Sequence, residues 1–138
     1  MSYDAIYAIA AEGLNLEKSR IDLVANNIAH QHILQTPTGE PYQSMQLLAK
    51  ARPFSTYLGS EESFPLVTIM PQNLPPNKVY QPENPLADKQ GYLTYPGLSM
   101  VNEMTTLLRA SRAFEANIKM INMAHNLYLQ ALTIGDER

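Results

Sequence analysis

SMVNEMTTLLRASRAFEANIKMINMAHNLYLQALTI, running from Ser99 to Ile134, contains neither Pro nor Gly. Through it pass Met100, Met104, Leu107, Ser111, Phe114, Ile118, Ile121, His125, Tyr128 and Leu132, at steps that alternate between four and three. Residues so spaced fall on one stripe of an α-helix. The predicted helix is roughly 50 Å long at about 1.5 Å per residue. That is longer than a globular domain of this size ordinarily holds and closer to a coiled-coil strand. A second line, Ala113, Ala116, Met120, Met123 and Leu127, followed by Ala131, lies roughly opposite the first. A helix apolar on two faces needs more than one neighbour. Either the rest of the chain folds back over the second face or other chains cover it. The reading favours other chains, because both lines run the length of the helix and small residues such as Ala113 and Ala116 permit close packing. Ser99 is a natural N-cap, Asn102 and Glu103 suit the positive end of the helix dipole, and Gly135 is a natural stop.

Residues 3–32 read as a second long helix. Leu14, Ile21 and Ile28 repeat every seven, with Ala10 and Val24 beside them. Another line, Ile6, Ile9, Gly13, Leu16 and Leu23, lies a quarter to half a turn away. Together they cover nearly half the cylinder. Gly13 costs about 1 kcal/mol against Ala inside a helix. It is either simply tolerated or a mark of close approach by a partner helix.

Between the helices the punctuation changes. All ten prolines lie from Pro37 to Pro96, a density no long helix survives. Thr36 to Pro41 reads as a turn region. Leu66-Val67-Thr68-Ile69-Met70, β-branched and bounded by Pro65 and Pro71, is the best strand candidate. Tyr42–Ala49, Val79-Tyr80 and Tyr92–Tyr95 are weaker ones. The stretch 50–64 is expected to be a mobile loop. Such an insertion alone buries little core, and Tyr80, Tyr92 and Tyr95 are expected to pack it. The expected fold is mainly α with a small β-rich insertion. Residues 1–35 and 98–138 would supply terminal helices forming a coiled-coil-like pair, and residues 36–97 the Pro-rich insertion.

Of the 138 residues, 45% are hydrophobic, and the net charge is −3. That is an ordinary folded composition with no basic field for nucleic acid. The chain has no cysteine, which removes disulfides, thiolate metal sites and thiol nucleophiles together. Charges interrupt the first thirty residues, so no cleavable secretory signal is expected, and no apolar run is long enough to span a bilayer. His30-Gln31-His32 is the closest histidine pair, but no third metal ligand is evident. His125 sits in the main stripe and reads as a packed, hydrogen-bonded histidine. Glu115 and Asn122 lie beside that stripe and suit a register role. No nucleophile elbow, phosphate loop, dinucleotide fingerprint or paired carboxylate appears. No catalysis, cofactor or metal is expected.

Three regions carry a resemblance. Leu23-Val24-Ala25-Asn26-Asn27-Ile28-Ala29 is the first. Gly39-Glu40-Pro41-Tyr42 with Val79-Tyr80-Gln81-Pro82-Glu83-Asn84-Pro85-Leu86-Ala87-Asp88 and Gln90-Gly91-Tyr92 is the second. Val101-Asn102-Glu103-Met104 with Ala110-Ser111-Arg112-Ala113-Phe114-Glu115-Ala116-Asn117 is the third. By these the chain resembles bacterial flagellar basal-body rod proteins, most closely those of the proximal rod. His30-Gln31-His32 departs from the usual Asn/Asp-Ala continuation, and Gln43 stands where a basic residue is common. The resemblance implies a structural subunit of the rod, in the periplasmic space, exported without a cleaved signal by the flagellar type III apparatus. Its partners would be copies of itself, other rod proteins, ring proteins and that apparatus, without nucleic acid or membrane insertion. Its interface residues would be Asn27 and the apolar lines of both helices. The alternative is a self-contained helical-hairpin module such as an export chaperone or adaptor.

Overall fold

The computed structural model describes residues 3–34, 42–50 and 66–136. In chain order these form α1 (Tyr3–His30), β1 (Met45–Lys50), β2 (Leu66–Pro71), β3 (Asn77–Tyr80), β4 (Tyr92–Tyr95) and α2 (Met100–Asp136). The turn region and loop expected around 36–41 and 51–64 lie outside the described residues. Both predicted helices form. The Ser99 carbonyl accepts the first intrahelical bond, from the Glu103 amide at 3.0 Å, as an N-cap residue should. α2 runs through Gly135 to Asp136, one residue past the expected stop and within the range over which helix ends fray. At the end of α1, His30 Nδ1 lies 2.7 Å from the Asn26 carbonyl. A carbonyl only accepts, so that ring nitrogen carries the proton and satisfies a helix-end carbonyl.

The two helices pack antiparallel. Asn27, near the end of α1, bonds Glu103 in the first turn of α2. A Cβ added at Gly13 would lie 2.9–3.1 Å from the Asn117 side chain. Both contacts share one offset, which sets Tyr3 level with Leu127. The seam has a seven-residue repeat on each side: Ala10, Glu17 and Val24 are buried on α1, and Glu103, Ala110 and Ala124 on α2, with Asn117 half-buried between them. On α1 the expected heptad of Leu14, Ile21 and Ile28 is half-buried along the flank of this line, whose centre is Ala10, Glu17 and Val24.

On α2 the seam runs between the two apolar lines rather than along either. Small or polar side chains occupy its centre, and half-buried Leu107, Phe114, Ile121 and Ala113 flank it. The distance between helix axes depends on the side chains at the contact. Alanine and glycine bring these backbones together and leave the larger residues outside. His125 is exposed, not packed as expected, because it lies beyond the flank of this narrow seam. Glu17, the charged residue on the α1 side, is held by Arg20 one turn on, at 2.7 and 2.9 Å.

The insertion forms two separate antiparallel pairs. β1 pairs β2 from Met45↔Pro71 to Lys50↔Leu66, and β3 pairs β4 from Asn77↔Tyr95 to Tyr80↔Tyr92. Its buried residues among those described are few: Ser44, Leu93 and Pro96. Tyr80 and Tyr92 meet edge to face at 5.2 Å yet both stay exposed, so they do not pack the insertion as expected. A two-stranded pair has no second layer to bury its side chains.

The Gly13 question therefore resolves to close approach. Gly13→Val should lower the stability of the helix pair by about 2 kcal/mol through overpacking against Asn117. Adding Asn117→Ala should restore part of that loss, as read by urea unfolding of the single and double variants.

Candidate functional site

The polar centre of the structure is where the helix pair meets the β1–β2 ribbon. Asn27 is fully buried, at 0% exposure. Its Nδ2 donates to the Met45 carbonyl at 2.8 Å and to Glu103 Oε2 at 3.2 Å. Its Oδ1 accepts from the Met45 amide at 3.1 Å and from the Tyr42 hydroxyl at 3.0 Å. All four hydrogen-bonding positions of the amide are thus used. Gln72, just beyond β2, donates to Glu103 Oε1 at 3.1 Å and to the Met45 carbonyl at 3.2 Å. The Gln72 amide also bonds the Ser44 carbonyl, adding one rung at the base of the ribbon. His30 stacks on Tyr42 at 4.7 Å and 15°.

Glu103 is 6% exposed, and among the described residues no cation lies within ion-pair distance of it. The sequence suggested a helix-dipole role. The dipole is favourable there, but the carboxylate is solvated chiefly by the two side-chain amides. Tyr42 holds its proton above the ordinary tyrosine range, first because it is partly buried and second because of the negative charge on Glu103.

The turn between β3 and β4 explains the Asn84–Tyr92 stretch of the motif. Asp88 Oδ1 accepts from the Gln90 and Tyr92 amides at 2.8 and 2.9 Å, and Asn84 Oδ1 from the Leu86 amide at 3.0 Å. The bonds from Gln90 and Leu86, each two residues on, are Asx turns. Gly91 takes φ 84°, in the left-handed region that favours glycine. The amide bonds, that from Tyr92 first, hold the Asp88 carboxyl below its usual range. Among the described residues, no three or more His, Asp or Glu side chains cluster to hold a metal.

The interface residues expected from sequence divide in two. Ile6, Gly13, Leu14, Leu16, Ile21, Leu23, Ile28, Leu107, Ser111, Ala113, Phe114 and Ile121 are half-buried, most of them along the flanks of the α1–α2 seam. Ile9, Met104, Ala116, Ile118, Met120, Met123 and Leu127 face solvent, Met123 at 65% exposure. Among the described residues, no strand covers the second α2 line. Sequence reasoning missed Gln72, Ser44 and Glu17 altogether. Ser44 and Gln72 lie outside the helices, and Glu17, though spaced by seven from Ala10 and Val24, is charged, so a search for apolar spacing passes over all three.

A family model described as "Flagellar basal body rod FlgEFG protein C-terminal" matches residues 89–134. Over most of its length the chain is similar to proteins named flagellar basal-body rod protein FlgC. That of Escherichia coli O157:H7 is 31% identical, covering 94% of this chain and 96% of the relative. That of Yersinia enterocolitica is 33% identical over 98% and 99%. That of Borreliella burgdorferi is 33% identical over 91% and 93%.

Asn27→Asp is nearly isosteric but exchanges two donated bonds for a second carboxylate beside Glu103. It should cost about 3 kcal/mol in urea unfolding at neutral pH, and less in acid, where the new carboxyl is protonated. The Tyr42 phenol gives a second prediction. A folded-state pKa above the unfolded value contributes stability that is present below the ordinary tyrosine pKa of 10.0. That contribution is lost as pH climbs through the folded value. Glu103→Gln should lower the Tyr42 titration midpoint, measured by NMR, because the neighbouring charge is gone.

Proposed function

We propose that this chain, which belongs to the FlgC family of flagellar basal-body rod proteins, is a structural subunit of the flagellar rod in the basal body. Near full-length similarity to those rod proteins carries the reading. The structure agrees with it in kind. The chain puts large apolar side chains on the outside of a long helix pair. Its role is structural rather than enzymatic, and its partners are other rod components.

The finer reading is a subunit of the proximal rod that transmits torque. Its terminal helices, within 1–35 and 98–138, act as a coiled-coil-like inner element, and residues 36–97 make outer contacts. The exposed lines, with Met104 and Ile118 on one side of α2 and Ala116, Met120, Met123 and Leu127 on the other, are the surfaces that neighbouring subunits cover. A helix apolar on more than one face supports this, since such a helix is stable only when surrounded. Export through the flagellar type III apparatus without a cleaved signal, a periplasmic position and contact with ring proteins belong to the same reading. The export chaperone or adaptor alternative finds no support in the comparisons.

The direct test is complementation. The wild-type gene should restore swimming to a bacterium lacking its own copy, and the protein should co-purify with basal bodies. Ile118→Asp should abolish both by placing a charge in a covered apolar line, while the isolated variant keeps its helical circular dichroism. Ala116→Asp examines the opposite line. If it swims while Ile118→Asp does not, the second line is not an interface.

A further inference from the structure

Two legs join the β3–β4 hairpin to the rest of the chain. Gln72 to Pro76 lead into β3, and Pro96 to Ser99 lead from β4 to α2. Both legs are fastened at one residue. On the entry leg, Gln72 Nε2 donates to Glu103 Oε1 at 3.1 Å, and the Gln72 amide donates to the Ser44 carbonyl at 2.9 Å. On the exit leg, the Ser99 carbonyl accepts from the Glu103 amide at 3.0 Å. The side chain of Glu103 thus holds one leg and its backbone the other, both in the first turn of α2.

The legs meet where Gly97 lies against Pro75. A Cβ added at Gly97 would collide with the Pro75 carbonyl oxygen, and it would lie 2.8 Å from the carbonyl carbon and 3.3 Å from Leu74 Cβ. A backbone carbonyl cannot turn aside as the end of a long side chain can. Neither leg has much freedom to make room. Pro75, Pro76 and Pro96 fix their own φ and restrict the residue before them. Asn73 turns the entry leg at φ 49°, in the left-handed region that Asn enters more readily than most residues. Pro96, next to Gly97, is buried, and Leu93 on β4 is 1% exposed.

We propose that the crossing of Gly97 and Pro75 is a locked joint that fixes the β3–β4 hairpin to the first turn of α2, so that hairpin and helix move as one body. Force applied at the hairpin then reaches α2 through the joint, without passing through the α1–α2 seam. The joint lies within one chain and stands apart from the rod-subunit reading.

The absence of native cysteine allows paired spin labels in the full-length chain. Labels at Lys89→Cys, in the hairpin turn, and Arg109→Cys, on α2, report hairpin against helix. Glu12→Cys with Arg109→Cys reports helix against helix as the control. All three sites are exposed. By double electron–electron resonance, the hairpin pair with Gly97 in place should give one narrow distance. Gly97→Ala should shift and broaden it while the control pair stays narrow. Gln72→Ala, which frees the entry leg without adding bulk, should broaden the hairpin pair to a smaller degree. The proposal is overturned if the hairpin pair is already broad with Gly97 in place, if Gly97→Ala leaves it unchanged, or if both variants broaden the control pair as much as the hairpin pair. Should Gly97→Ala alone disturb the control pair, Gln72→Ala decides. Broadening confined to the hairpin pair then supports the joint, and no change overturns it.

Discussion

A buried carboxylate with no cation beside it among the described residues organises this molecule. Glu103 joins the start of α2 to the end of α1 through Asn27 and to the ribbon through Gln72. Such a charge is tolerated only while its donors stay in place, since a buried polar group without partners costs far more than a satisfied one contributes. The seam beside it is permissive. Ala110 and Ala124 can slide along the facing helix with little change in contact. A slip of one helical turn, however, would carry Asn27 away from Glu103. Register is thus set by the polar junction, while closeness is set by the small residues. The same Asn27 amide bonds the Met45 backbone, so the direction in which the ribbon leaves the helices follows from it too.

Much of the fold was legible in the chain. The absence of Pro and Gly from Ser99 to Ile134, with apolar residues three and four apart, marks α2 within a residue or two of its ends. β-branching between Pro65 and Pro71 marks β2. The heptad of Leu14, Ile21 and Ile28 lies along the correct side of α1. What escaped was the choice of face on α2. Periodicity weights large apolar residues, so it found the lines through Ile118 and through Met120. The contact runs between them, through alanine, asparagine and glutamate. Size, not hydrophobicity, selected it. The Asn27–Glu103 bond joins residues 76 apart in sequence, a distance at which no local pattern reports. The motif glutamate was visible, but its burial was not.

The β3–β4 hairpin shows another way a motif can carry meaning. Asn84 and Asp88 use their side chains on the backbone, and Gly91 supplies a conformation. These residues specify the path of the chain rather than chemistry at a surface. A family signature of this kind marks a shape, with Tyr80 and Tyr92 left exposed upon it.

The two contacts that align the helices are separated along the axis. Gly13 against Asn117 lies about 21 Å from Asn27 against Glu103, fourteen residues at about 1.5 Å each. A strut joined at one point can swivel, and one joined only by smooth surfaces can creep. Fastened at two points, by a notch that receives a side chain and by a hydrogen-bonded carboxylate, this pair can do neither without breaking one fastening. Twist entering at one end is then delivered at the other as rotation of a single stiff body, with little of it absorbed as shear between the helices.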